Sequence, residues 1–264
     1  MVKRNYQIFV FIGVCILVAL FFCSKRLLME GFEPPPPVVK AQVKLEDIPI
    51  IKDVWIINLD KSKERWNTML DEVKVLDPLP VNRWSATDGR ALKEQDYVNE
   101  KIPIIIRPES TLASKQERRK GEIGCYLSHK KLIEFLGKKK GEDDDGHLIL
   151  EDDVEIDKDT LQKWIDVSSK LNKDWDIFFF GIHDPVLKDP VDGISKVTSI
   201  QSTHSYMIRH KSIPKFLEII KIMYDPIDEI IRWNSDKLNL YAIQPFTINQ
   251  RKNYPSDINS GVAT

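Results

Sequence analysis

Four short apolar runs do most to limit what this chain can fold into: "DVWIINL" (Asp53–Leu59), "HLIL" (His147–Leu150), "WDIFFFG" (Trp175–Gly181) and "SYMIRH" (Ser205–His210). Each has the length of a buried strand, and the first is rich in β-branched residues, whereas a helix needs a longer periodic stripe. Helical patterns separate them. "KSKERWNTMLDEVKVL" repeats Trp66, Met69, Leu70 and Val73 at helical spacing after Asp60, which stands where an N-cap belongs. "GEIGCYLSHKKLIEFLG" and "PIDEIIRW" read as helices, as does a segment from Ser212 with Pro214 in its first turn. "VNRWSATDG" reads as a strand ending in a turn, and "LNLYAI" as a late strand. Strands alternating with helices predict an α/β fold with a mostly parallel central sheet flanked by helices. Such sheets bind ligands beyond the carboxyl ends of their strands. The sharpest polar clusters fall there: Asn58 and Asp60 after the first strand, Asp88 after the second, and Glu151, Asp152 and Asp153 after "HLIL".

The N-terminus follows other rules. Ile8–Cys23 carries no charge and is flanked by Lys3, Arg4, Lys25 and Arg26. A spanning helix wants about 20 apolar residues, with ~17 as the lower limit, and this segment just reaches that limit if Ser24 is counted and the flanking cations snorkel. No small-x-small cleavage site follows it, which favours an uncleaved anchor over a signal peptide. Residues 1–26 are therefore expected to be a tail and membrane anchor, and 27–50, with four prolines from Pro34, a stiff Pro-rich linker. Residues 51–264 are expected to form one catalytic domain, held beyond the anchor as in a single-pass type II membrane protein. A net charge of −1 provides no global field for nucleic acid, and no nucleic-acid partner is expected. Cys15 and Cys23 lie in the apolar segment, so Cys125 has no partner for a disulfide within the domain.

The triplet Glu151–Asp153 has two readings, a solvated strand end or a cation site. Adjacent carboxylates repel unless water or a cation screens them, and hard oxygen ligands suit Mn²⁺ or Mg²⁺. The buried run directly before the triplet favours a site. "GEDDDGHLILED" mimics a calcium loop, but Gly141 takes its first ligand position and a strand replaces its second helix, which excludes it. Other clusters are ambiguous alone. Cys125 and His129 share a helical face as a nucleophile pair, two metal ligands, or a packed histidine beside a buried thiol. Asn58, Asp60 and Arg65 suit a nucleotide base or ribose, or simply a helix start. Asp228 in a first helical turn is favoured there by the dipole, and is equally a candidate general base. No Gly-rich phosphate loop with a reaching Lys is present, which disfavours a phosphotransferase.

Taken in order, "VWIINLDKSKERW", "RWSATDG", "KGEIGCYLSHKKLIE", "HLILEDDVEI", "SYMIRHKSIPKFL", "PIDEII" and "LYAIQP" resemble glycosyltransferase family 25. The resemblance covers about Val54 to Ile258, and "GCYLSH" beside "LEDD" is its most specific part. It implies a GT-A-like nucleotide-diphospho-sugar fold, a UDP-sugar donor substrate (UDP-galactose foremost), Mn²⁺ dependence, inversion at the anomeric carbon, and a glycan or glycoprotein acceptor. Glu151, Asp152 and Asp153 look like the metal motif. Asn58, Asp60, Arg65, Asp88, Gly89, Ser128 and His129 match positions near the nucleotide sugar, with His129 also a catalytic candidate. His204 and Asp257 match positions that complete the metal or acceptor side. Asp228 is the expected base. The "PID" motif continues with "EII" where an aromatic is more usual, which leaves the acceptor open. The competing class is a catalytically silent glycan-binding or adhesion module on the same fold.

Overall fold

A computed structural model describes residues 43–100, 113–252 and 254. The apolar segment Ile8–Cys23 and Asp257 lie outside the described residues. Among the described residues no helix is long and apolar enough to cross a membrane.

Among the described residues ten strands form: β1 (Ile51–Asn58), β2 (Val81–Ser85), β3 (Gly146–Glu151), β4 (Val154–Ile156), β5 (Ile177–Gly181), β6 (Val186–Val191), β7 (Ile194–Ser199), β8 (Ser205–Arg209), β9 (Leu240–Ile243) and β10 (Ile248–Gln250). The helices are α1 (Lys63–Glu72), α2 (Glu94–Asn99), α3 (Ala113–Leu136), α4 (Thr160–Ser168), α5 (Ile213–Ile219) and α6 (Ile227–Trp233). Eight strands make one sheet in the order β2-β1-β3-β8-β5-β9-β7-β6, and β4 pairs with β10 in a small second sheet.

The main sheet is mixed, which corrects the expected mostly parallel one. β1 runs parallel to β2 and β3, and β5 parallel to β9, but β8 is antiparallel to both β3 and β5. β7 is antiparallel to β9, and β6 to β7. Strand direction cannot be read from an apolar run, because parallel and antiparallel central strands bury the same residue types. The β6–β7 hairpin carried a readable signal that the apolar runs overshadowed. Asp192 and Gly193 sit at φ 49° and 86°, the positive pair that an Asp-Gly hairpin turn requires.

Period-two alternation explains both faces of the sheet. Trp55, Ile57, Ile149, Phe179, Tyr206 and Ile208 pack on one face with Leu127, Leu132 and Ile133 of α3, Phe216 of α5 and Ile230 of α6. Val54, Ile56, Leu148, Leu150, Phe178, Phe180 and Met207 pack on the other with Met69 of α1 and Leu161 and Trp164 of α4. Residues 43–50, assigned to the linker on sequence grounds, join the second face: Ile48 is buried there and Trp164 Nε1 donates to the Pro49 carbonyl at 2.8 Å. Asp60 is not the cap of α1. Ser62 holds that position, and the Asp60 carboxylate accepts instead from Arg83 Nη2 (2.7 Å) and Ser85 Oγ (2.9 Å) of β2.

One buried carboxylate joins three elements on the first face. Asp176, just before β5, accepts from Ser212 Oγ at 2.7 Å, Lys215 Nζ at 2.6 Å and the Asn239 amide at 2.8 Å. Burial works against its charge, but those three donors outweigh it and hold the carboxyl below its usual value. Asp176→Ala strands these donors and is expected to cost roughly 2–4 kcal/mol in chemical denaturation at neutral pH. The difference from the unsubstituted protein should narrow as pH falls through the depressed carboxyl value, where the native charge is lost.

Candidate active site

Because β1, β2 and β3 run parallel, Asn58, Ser85 and Glu151 reach the same edge of the sheet. Antiparallel β8 begins at that edge, with Ser205 opposite Leu150, and brings Thr203 and His204 beside the triplet. A cleft of about 120 Å³ opens there, lined by Arg65, Asp88, Gly89, Gly124, Cys125, Ser128, His129, Glu151, Asp152, Asp153 and Gln250 among others.

One wall is the "SATDG" turn docked on α3. A Cβ at Gly124 would lie 2.7 Å from both Gly89 N and Thr87 O, and one at Gly89 would lie 1.8 Å from Lys120 O. Only hydrogen at these two positions lets the backbones touch. The Thr87 amide donates to Ser128 Oγ at 2.9 Å, and that hydroxyl donates to Gly124 O at 2.6 Å. Asp88 accepts from Lys61 Nζ at 2.5 Å and from the Arg90 amide at 3.1 Å. Partial burial opposes its charge, but these donors prevail and lower its pKa. Asp60 likewise sits below its usual value through Arg83 and Ser85.

The three carboxylates on the floor have different fates. The strand ends at Glu151 and the chain turns over Asp152–Asp153. Asp152 is held from the α1 side: Asn58 Nδ2 donates to Oδ2 at 2.6 Å and Arg65 Nη1 to Oδ1 at 3.0 Å. Asn58 is itself fixed, since Arg83 Nε donates to its Oδ1 at 2.9 Å. Glu151 faces α3. Thr203 Oγ1 donates to its Oε1 at 3.1 Å, and His129 Nε2 lies 3.4 Å from the same oxygen without hydrogen-bond alignment. Burial raises the Glu151 pKa, but the His129 and His204 rings and Thr203 outweigh it and the net direction is down. Asp153 is the uncompensated member. Gln250 Nε2 donates to its Oδ2 at 2.7 Å, while the buried Oδ1 has no partner among the described residues. Burial first, then the charges of Glu151 and Asp152, push its carboxyl up to about 7.

This arrangement fits a divalent cation at Asp153 with Glu151 in support. A cation would provide the partner that Asp153 Oδ1 lacks and relieve the repulsion among the carboxylates. The other expected residues are placed differently. His204 is buried behind Glu151, with Nδ1 bonded to Ser202 Oγ at 2.9 Å and Nε2 donating to the Ile248 carbonyl at 3.3 Å. Burial lowers its pKa to about 4, so it is neutral. Asp228 stands in the first turn of α6, its Oδ1 accepting from the Glu229 amide at 3.0 Å. Burial, with the charges of Glu229 and Glu151, raises its pKa to about 6, and the same field reaches Cys125. Burial and the charges of Glu151, Asp228 and Asp153 hold the Cys125 thiol well above its ordinary value.

Sequence reasoning missed Gly124, Thr203, Gln250 and Tyr206, whose hydroxyl lies 3.0 Å from His129 Nδ1. Gly121 and Gly124 inside a helix were a visible signal, since glycine weakens a helix unless a close contact needs it. The others come from strands and turns distant in sequence.

A profile of glycosyltransferase family 25 (LPS biosynthesis protein) matches residues 51–198, more than half of the chain. The chain belongs to that family. Procollagen galactosyltransferase 2 of Homo sapiens is 26% identical over 176 residues, covering 65% of this chain and 27% of its own length. A glycosyltransferase 25 family member of Aedes aegypti is 27% identical over 195 residues, covering 69% and 30%. The chain thus spans less than a third of the length of these relatives. A solved glycosyltransferase involved in the glycosylation of the major capsid of PBCV-1 superposes over 78% of this chain and 98% of its own, at a TM-score of 0.37 and 7% identity, too loosely to bear on the argument.

Asp153→Asn keeps an acceptor for Gln250 and removes the crowded charge. Between pH 3.8 and about 7 the native Asp153 binds more protons than the unfolded chain, so its contribution to stability is lost as pH rises through about 7. In metal-free buffer the substituted protein should melt higher than the original, by a margin that grows from pH 5 to pH 8 in differential scanning fluorimetry.

Proposed function

We propose that this chain is a metal-dependent inverting glycosyltransferase that moves a sugar from a UDP-sugar to a hydroxyl of a glycan or glycoprotein. The observation that carries the reading is the buried, unpartnered Asp153 oxygen among converging carboxylates on the cleft floor. The galactosyltransferase names of the relatives favour UDP-galactose as the donor substrate. A GT-A-like arrangement agrees with nucleotide binding at the carboxyl edge of β1–β3. The apolar segment Ile8–Cys23 then serves as the anchor of a type II membrane protein, and the acceptor is met on the far side of the Pro-rich spacer.

The residues divide the work. Asp153 and Glu151 would hold Mn²⁺ (or Mg²⁺), with Asp152 kept in place by Asn58 and Arg65. The bound ion would offset the charge gathering on the diphosphate as the glycosidic bond breaks. The turn over Asp88–Gly89, fixed to α3 through Ser128, shapes the wall for the nucleotide. Arg65, on the cleft lining, adds positive charge beside the diphosphate position. Asp228 takes the acceptor proton. Its raised value near 6 leaves it deprotonated at neutral pH while keeping it more basic than an exposed carboxylate. A direct displacement needs no covalent enzyme intermediate.

Purified full-length chain, incubated with Mn²⁺ and a panel of UDP-sugars, should hydrolyse or transfer one of them, and chelation should abolish this. Absence of turnover with every sugar, together with absence of metal-dependent UDP binding, sinks the enzyme reading; glycan binding without turnover would then favour the silent-module alternative. Asp228→Asn is expected to lower kcat roughly 10²–10⁴-fold with little change in KM for the UDP-sugar. In the unsubstituted enzyme kcat should fall as pH drops below about 6, as the base is protonated.

A further inference from the structure

Beside Glu151, the cleft floor holds two metal-binding groups, Cys125 and His129, that the carboxylate arrangement leaves unused. Cys125 and His129 stand four apart on α3 and share its face toward the cleft. Cys125 Sγ, a ring nitrogen of His129 and a carboxylate oxygen of Glu151 lie within 4.8 Å of one another. His129 is only 1% exposed, yet among the described residues its Nε2 has no hydrogen-bond partner; it lies 3.4 Å from a Glu151 carboxylate oxygen. That separation is close to the ~3.3 Å between nitrogen and oxygen ligands held at about 2.0–2.1 Å in a tetrahedral centre. The other ring nitrogen is engaged by Tyr206, whose hydroxyl lies 3.0 Å from Nδ1.

We propose that Cys125, His129 and Glu151 form a site for a borderline transition-metal ion, Zn²⁺ above all, distinct in chemistry from the hard-ion position at Asp153. A thiolate–imidazole–carboxylate set favours Zn²⁺ or Co²⁺ over Mn²⁺ and Mg²⁺, which prefer oxygen alone. On binding, the Cys125 thiol gives its proton to solvent and sulfur joins the ion. His129 ligates through Nε2 while its Nδ1–H donates to the Tyr206 oxygen, the outer-shell bond that orients a ligating imidazole. All three ligands line the cleft, so the fourth position opens onto it. Binding there draws Glu151 away from Asp153. If the transferase reading above holds, Zn²⁺ is therefore a chelator-reversible inhibitor of the Mn²⁺-supported reaction; the site itself does not depend on that reading.

The test is Co²⁺ titration of the metal-stripped full-length chain, followed by absorption, with Zn²⁺ as competitor and no sugar nucleotide present. A thiolate-to-cobalt band in the near ultraviolet, visible bands of a tetrahedral ion, and displacement by Zn²⁺ but not by equimolar Mn²⁺ are expected. Cys125→Ser should erase the near-ultraviolet band and weaken Zn²⁺ roughly 100-fold, and Tyr206→Phe should weaken it roughly 10-fold, within the range for loss of an outer-shell partner. Circular dichroism checks that both substituted proteins fold. Absence of the band in the unsubstituted chain overturns the proposal, and needs no variant. So does a band that survives Cys125→Ser, since it then arises from Cys15 or Cys23. Because ion binding is read directly, a chain that binds Co²⁺ as described yet transfers no sugar contradicts the transferase reading alone.

Discussion

Repulsion among Glu151, Asp152 and Asp153 is the constraint around which the rest of this molecule is arranged. Three consecutive carboxylates at the end of a buried strand cannot all be ionised in a dry cleft without compensation. Each is met differently. Asn58 and Arg65 take Asp152 from the α1 side, Thr203 and the His129 ring meet Glu151 from the α3 side, and Asp153 keeps one oxygen buried without a partner. The unequal treatment separates a fully paired carboxylate from one with an oxygen left open. Removing the two side supports would return the group to a simple cluster of like charges.

The topology makes this division possible. Parallel β1, β2 and β3 deliver their carboxyl ends to one edge, and antiparallel β8 starts where they stop. Had β8 run parallel, its first residues and the preceding Thr203 would lie at the opposite edge, and Glu151 would lose its hydroxyl donor. The same antiparallel strand carries Tyr206 to His129. The wall opposite depends on two glycines that let a turn and a helix meet backbone to backbone. Backbone contact of this kind fixes one side of the cleft.

Much of this was legible beforehand. The strands β1, β3, β5, β8 and β9 were readable because buried runs of β-branched and aromatic residues have few other uses. The clustering of Asn58, Asp88 and the triplet at one edge followed from strand ends in an α/β pattern. What escaped was of a different kind. The hairpin β6–β7 has a mostly exposed edge strand with little apolar signal, so only its Asp-Gly turn marked it. Asp60 looked like a cap because local sequence offers no view of Arg83 and Ser85 on the neighbouring strand. His204 entered through the resemblance, as completing the metal or acceptor side, and nothing in the sequence shows that Ser202 and Ile248 meet its ring nitrogens.

The sequence by itself determined the layers of this protein, the strand ends that carry charge and the family to which the chain belongs. Those follow from periodicity and motif order, which are properties of the chain read in one dimension. Tertiary structure alone decided the direction of β8, the partner of each carboxylate, and the orphaned nitrogen and oxygen of His129 and Asp153. These depend on which groups meet across long chain separations, such as Gln250 with Asp153 and Asn58 with Asp152. Hydrogen bonds and charge interactions act over a few ångströms of space, whatever the distance along the sequence, so only the folded chain assigns them.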